Sequence, residues 1–176
     1  VIPPEEIKKA KGHYHHGDLK AALIEAAAVI LETRGLDALS LREAARRAGV
    51  SEAAPYRHFK DKAALLDAVT AQTAASLADE MRTSMAPFQG EGQPALNAGI
   101  KAVISFAVDQ TARFRLLITP DAKPAFMRDL AMILKVDAGN IDHAHFVLAQ
   151  ALGLALMVIN ESISLSEAER ALTPPQ

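Results

Sequence analysis

Between Ser40 and Lys62 the chain gathers side chains suited to holding an anionic polymer. Tyr56, Lys60 and Lys62 carry donors that match phosphate oxygens. Ser40, Arg42 and Ser51 fall near expected helix N-termini, where backbone N–H groups and the helix dipole favour an anion. A second set has the chemistry of base edges: Glu52 can accept from cytosine, the methyls of Ala53 and Ala54 suit thymine, and Arg57 or His58 can add to them. The plainer reading of Arg42, Arg46, Arg47 and Lys60 is a solvated helix face, and Glu52 also repels phosphate.

Two short helices and a glycine turn are needed to present these groups. Ser40 and Glu43 have the S-x-x-E spacing of a capping box, which starts a helix with Leu41, Ala44, Ala45 and Ala48 on one face. Gly49 supplies the left-handed residue that ends it. Ser51 is then placed to cap a second helix whose core face is Pro55 and Phe59, with the proline in or next to the first turn. This is the spacing of a helix-turn-helix, a motif that lays its second helix in the DNA major groove. Asp18 is expected to cap a preceding helix, with Leu19, Leu23, Ala26, Ala27, Ile30 and Leu31 on its apolar face and Gly35 at its end.

Downstream the helical period continues. Lys62 to Met85 is expected as one long helix capped by Asp61 or a neighbour, with a stripe through Leu65, Leu66, Val69, Thr73, Leu77, Met81 and Met85. Pro87 and the run from Gln89 to Pro94 make the clearest break. Further helices are read over Leu96 to Val108, Phe114 to Ile118, from Pro124 through Leu134 to an end at Gly139-Asn140, Ile141 to Glu161 and Ser164 to Leu172. The helix from Ile141 is apolar around most of its circumference, so it is expected to be buried on nearly all sides, partly in a subunit interface; Ala149 and Gly153 would allow another helix to come close. The division is a flexible arm over 1–17, a helix-turn-helix domain over 18–62 and a helical domain over 63–176.

The bulk composition narrows the classes. No cysteine is present, which removes disulfides and thiolate metal sites and suits a reducing, cytoplasmic setting. Net charge is −2, so nucleic-acid binding has to rest on local clustering. Residues 1–62 hold eleven Lys and Arg against nine Asp and Glu, whereas residues 63–176 hold eight against twelve. The longest apolar run, Phe146 to Ile159, falls short of the ~20 residues that span a bilayer, and no secretory signal opens the sequence. The histidines at 13, 15 and 16 and the group Asp142, His143 and His145 lack the further acidic or histidine ligands of a metal site, so neither metal nor cofactor is expected. No Glu-x-x-His pair, nucleophile motif or phosphate loop points to an enzyme.

The segment from Tyr14 to about Ala68, with HGDL, SLREAARRAGVS and YRHFKDKAALL, strongly resembles the DNA-binding domain of the tetracycline-repressor (TetR) family of bacterial transcription regulators. The Gly49-Val50-Ser51 turn, Tyr56, Phe59 and Lys62-x-x-Leu65-Leu66 occur in register. The resemblance implies that Ser51 to His58 form the recognition helix, that Tyr56 and Lys62 hold phosphates, and that Ser40 and Arg42 anchor the preceding helix. It also implies an all-α fold in which a three-helix N-terminal domain is joined by a long helix to a helical domain for ligand binding and dimerisation. A homodimer on a palindromic operator, released by a small apolar or amphipathic effector, follows from it, without a membrane. The arm and recognition helix look like a subgroup whose C-terminal domain carries a Trp and a His-Gly pair; Gly153 fits, but Leu148 and Leu152 stand where that Trp and His are expected. Candidate effector contacts are Phe106, Phe114, Met127, His145, Phe146 and Gln150, for which simple core packing is the competing reading. Two other classes compete: a helix-turn-helix used only to bind protein, and a helical ligand-binding protein without DNA.

Overall fold

The computed structural model describes residues 16–119 and 124–172, all helices and turns, with no strand among the described residues. The first fifteen residues of the expected arm, including His13, Tyr14 and His15, lie outside them. The chain builds α1 (His16–Arg34), α2 (Leu41–Arg47), α3 (Lys62–Met85), α4 (Gln93–Asp109), α5 (Thr111–Leu117), α6 (Pro124–Ala138), α7 (Ile141–Ile159) and α8 (Leu165–Ala171). Short 3-10 turns cover Leu36–Ala38, Pro55–Arg57 and Ala86–Phe88.

Local chemistry sets most of these ends. Asp61 caps α3 by accepting from the Ala64 N–H at 2.8 Å. Asn140 caps α7 through the His143 N–H at 2.8 Å. A full capping box closes at Ser164 and Glu167, where serine and carboxylate exchange backbone hydrogen bonds. Those bonds hold the Glu167 carboxyl below its ordinary pKa, with the Ser164 backbone N–H as the main cause. At Ser40 only half of the expected box forms. Ser40 accepts from the Glu43 N–H at 3.1 Å, but the Glu43 carboxylate turns to Arg46 and Arg34. Two guanidinium partners outbid one backbone N–H, because charge-assisted bonds are the stronger ones. The position expected to cap α1, Asp18, falls inside that helix, which begins two residues earlier at His16.

Two hydrophobic clusters share α3. In the smaller one, Leu65 and Val69 join Leu23, Ile30, Leu31 and Leu39 of the N-terminal helices and Phe59. In the larger one, Leu77, Met81 and Met85 meet α4, α6 and α7 around Ile100, Val103, Phe106 and Leu134. At ~1.5 Å per residue the helix runs roughly 36 Å, long enough to serve both. Thr73 sits between the two sets, fully buried, with its hydroxyl donating to the Val69 carbonyl at 2.7 Å.

The expectation that α7 is enclosed on nearly all sides does not hold within one chain. Ala144, Val147, Leu148, Ala151 and Ala155 pack inward, whereas Phe146 is 62% exposed and Met157 44% exposed. The helix is long and apolar enough to cross a bilayer, with hydropathy 1.5, yet its inner stripe closes the larger cluster beside α4 and α6. Where α4 crosses α3 and α6 the approach is close: a Cβ on Gly99 would lie 2.9 Å from the Met85 sulfur and 3.0 Å from Leu134 Cδ2, so those side chains would have to shift to admit a larger residue. Gly99→Val is therefore expected to lower stability by about 1–3 kcal/mol, read by urea denaturation.

Candidate nucleic-acid interface and adjoining cleft

The residues of the helix-turn-helix are held from behind. Leu41, Ala44 and Ala45 bury the inner face of α2 against α1, and Pro55 and Phe59 do the same for the segment after the turn. Gly49, at φ +71°, completes the turn; the Val50 N–H reaches the Ala45 carbonyl at 3.0 Å and the Gly49 N–H reaches that of Arg46 at 3.3 Å.

The second helix differs from expectation. Ser51 makes no side-chain cap, and residues 51–59 form successive turns that tighten into the 3-10 turn Pro55–Arg57. Proline explains this: it has no N–H to give to Ser51, whose carbonyl accepts from the Ala54 N–H at 3.0 Å in a tighter turn. Past the proline, the Phe59 N–H bonds the Pro55 carbonyl at 2.9 Å. The segment expected as the recognition helix is thus short and wound more tightly than an α-helix.

Its outer face presents the expected set. Ser51, Glu52, Ala53, Tyr56, Arg57, Lys60 and Lys62 are exposed, as are Ser40 and Arg42, while Ala54 and His58 are half-buried. Tyr56, at 56% exposure, projects beside buried Pro55, so its hydroxyl is carried on a fixed base. Arg42 bridges to Glu52 at 3.6 Å, linking the start of α2 to the recognition segment. Lys60 lies 4.0 Å from Asp61. Lys62 donates from Nζ to the Leu36 carbonyl at 2.8 Å and keeps two further N–H donors for an incoming oxygen. His58 tilts against Phe59, ring centroids 6.5 Å apart, and its Nε2 is buried without a partner among the described residues. Behind the face, Arg46 and Arg34 clasp the Glu43 carboxylate; the Arg46 hydrogen bond is the main cause that holds this carboxyl below its ordinary value of 4.5.

A cleft of about 1120 Å³ opens between α3, α5 and α6. Ala71, Ala74, Ala75 and Ala78 form its floor, Leu116 and Leu117 one side, and Phe126, Leu130 and Ile133 the other. Leu36 and Leu66 extend it to the N-terminal helices. None of the six side chains expected to contact an effector lines it. Phe106 and Phe114 are sealed in the larger cluster, Met127 is half-buried beside that cluster, and His145, Phe146 and Gln150 lie on the outer face of α7. Sequence reading passed over the cleft because alanines on α3 look like ordinary helix filler; only the spacing of three helices makes a space above them.

A joint between the two clusters was equally invisible in the sequence. Glu32 of α1 accepts from the Ala112 and Arg113 N–H groups at 3.0 and 2.8 Å, and Arg113 Nε lies 3.5 Å from the same carboxylate.

The matched sequence falls on this interface. Residues 23–69 match the family model of bacterial regulatory proteins, tetR family. No curated protein matches the chain. Among solved structures, a protein of unknown function from Rhodococcus sp. RHA1 is similar at TM-score 0.72 and 29% identity, covering 90% of this chain and 93% of that one. A TetR-family transcriptional regulator from Streptomyces coelicolor aligns at TM-score 0.66 and 23% identity, over 88% of this chain and 95% of the other. One from Marinobacter aquaeolei VT8 gives 0.63 and 17%, over 88% and 91%. At those two identities the likeness is one of fold.

Charge on this face yields two checks. Lys62→Ala is expected to weaken binding to every duplex about equally, whereas Arg57→Ala changes sequence preference; Glu52→Ala frees Arg42 and raises affinity for unselected duplex. Fluorescence anisotropy on a panel of duplexes reads all three. The depressed Glu43 pKa gives stability that is fully present above the ordinary carboxylate range and is lost as pH falls through the lowered value. Glu43→Gln should therefore lower the melting temperature at pH 7, and its difference from the parent should shrink as pH falls below the ordinary carboxylate range.

Proposed function

We propose that this tetR-family regulator binds a palindromic operator as a homodimer and is released from it by a small molecule held in the cleft between α3, α5 and α6. The observation that carries the DNA reading is the exposed row Glu52, Ala53, Tyr56 and Arg57 on a short element anchored by buried Pro55 and Phe59, with Lys62 at its end. Phosphate donors flank potential base contacts, which is how a helix-turn-helix is oriented before it reads. Tyr56, Lys60, Lys62 and the N-terminus of α2 at Ser40 and Arg42 would hold the backbone. Base preference would come from Glu52, the methyls of Ala53 and Ala54, Arg57 and His58.

Dimerisation is supported by α7. Its uncovered face carries Phe146, Met157 and Gly153, and a Cβ added at Gly153 would meet nothing within 4 Å in a single chain. Glycine inside a helix costs roughly 0.5–1 kcal/mol relative to alanine, and within one chain nothing recovers that cost. Close approach of a second helix would. Two-fold symmetry then places two recognition elements on two half-sites.

The cleft suits an effector in size and lining. Pockets for small ligands run to about 300–1,000 Å³ and are mostly apolar with few polar groups. Here the walls are mostly aliphatic and aromatic, with Asp67, Thr70, Asp79 and Arg82 along the α3 side, Asp129 and Asp137 on α6, and Arg82 paired to Asp79 at 2.6 Å. Leu36 and Leu66 put the same space in touch with the DNA-binding helices, so an occupant can favour one position of the head over another. Coupling of this kind is typically ~1–3 kcal/mol.

Selection from random duplexes tests the reading. The recovered site is expected to be an inverted repeat, and its affinity to fall steeply as salt rises, by about 10³-fold or more between 50 and 200 mM if six or more phosphates are held. Binding that ignores salt, or recovery of no common site, would turn the assignment toward a protein-binding module. Gly153→Leu should raise the dimer dissociation constant at least tenfold by analytical ultracentrifugation while leaving helical circular dichroism unchanged, and operator affinity should fall with it.

A further inference from the structure

We infer that Glu32 is the positioning residue through which the cleft sets the DNA-binding head. This rests on the reading of the cleft as the effector site. The helix α5 begins without a cap of its own: Gln110 precedes it at φ −134° and ψ 49° and makes no side-chain cap. The first N–H groups of a helix have no partner within it. Glu32 supplies that partner from eighty residues away, its two oxygens accepting from Ala112 and Arg113. The carboxylate is only 23% exposed, and Arg113 Nε stands 3.5 Å away. Two directed bonds to adjacent amides fix both the distance and the rotation of α5 relative to α1.

The other end of α5 belongs to the cleft. Leu116 and Leu117 line it, with Thr119 just beyond. The same helix also divides its side chains between the two hydrophobic clusters. Phe114 and Leu117 sit in the larger, and Ala112 and Leu116 pack against the smaller. Seven helical residues span only ~10 Å, so α5 moves as one body. An occupant pressing on Leu116 and Leu117 therefore displaces the amides that Glu32 holds, and α1 follows. The DNA-binding helices travel with α1 because Leu41 and Ala44 of α2 and Phe59 share its core, and Arg34 of α1 grips Glu43 of α2. Glu32 thus acts through α5 and α1 and has no part in contacting DNA or ligand.

A double-mutant cycle measures this without a known effector. Ala75→Trp fills the cleft from an exposed position on α3, and Glu32→Gln replaces one accepting oxygen with an amide that faces an N–H. Operator affinity, on the inverted repeat selected with the parent protein, is the readout. Ala75→Trp is expected to change affinity at least tenfold in the parent and less than threefold in the Glu32→Gln background. Equal fold-changes in both backgrounds overturn the joint and leave the regulator reading standing. No effect of Ala75→Trp in either background overturns both the joint and the cleft as effector site, with DNA binding still demonstrated by the parent. If Glu32→Gln does not fold, amide hydrogen exchange decides instead: Ala75→Trp should speed exchange at Ala112 and Arg113 at least tenfold, and unchanged rates there refute the joint. Arg113→Met, which leaves both backbone bonds intact, should keep most of the coupling.

Discussion

One helix has to satisfy two cores at once. The apolar stripe of α3 is given to the head at Leu65 and Val69 and to the body at Leu77, Met81 and Met85, with Thr73 between them returning its hydroxyl to its own backbone. Neither cluster can move far without shifting the other. The cleft sits where that shared helix faces α5 and α6, and alanines at 71, 74, 75 and 78 leave the room that larger side chains would fill. The same constraint makes α3 the strut that both clusters share.

The segment after the Gly49 turn shows how a single residue can shape an exposed face. Pro55 removes a donor, shortens the helix to one tight turn and anchors it by burial. Tyr56 and Arg57 are then displayed over a short, rigid span, with Glu52 and Ala53 in the preceding turn. The ion pair from Arg42 to Glu52 ties the two helices of the motif while both groups remain exposed, so a phosphate or a base can compete for either. Lys62 has a similar double role. It tethers the start of α3 to the Leu36 carbonyl, and that carbonyl belongs to a residue whose side chain lines the cleft.

Charge in the body is arranged with some cost. Glu80 has its pKa raised, chiefly by burial and secondarily by Asp109. A raised carboxyl destabilises the fold at neutral pH and is relieved as pH falls through its folded value toward the ordinary one. The neighbouring groups of the shallow hollow around it are Lys101 and Glu169, on α4 and α8. By contrast Asp137 is spent on structure, accepting from the Gly90 N–H at 2.8 Å and pinning the loop before α4 to α6.

What the sequence determined by itself is the course of the helices and several of their ends, which local rules govern, although the caps expected at Asp18 and Ser51 did not form where they were placed. Periodic apolar residues and caps gave α3 its bounds at Lys62 and Met85, the helix-turn-helix its glycine at position 49, and α7 its start at Ile141, whereas the cap at Asn140 came from the structure. Pro55 and Phe59 were legible as a core pair because four-residue spacing alone puts them on one side. Long-range geometry was not legible. That Glu32 caps a helix eighty residues later, that Arg34 of α1 joins Arg46 on the Glu43 carboxylate, and that three helices stand apart over a row of alanines all depend on where other segments come to rest. Six plausible pocket residues went instead to the sealed core, its margin and the outer face of α7 for the same reason. Side-chain type says what a group can do, and only packing says what it meets.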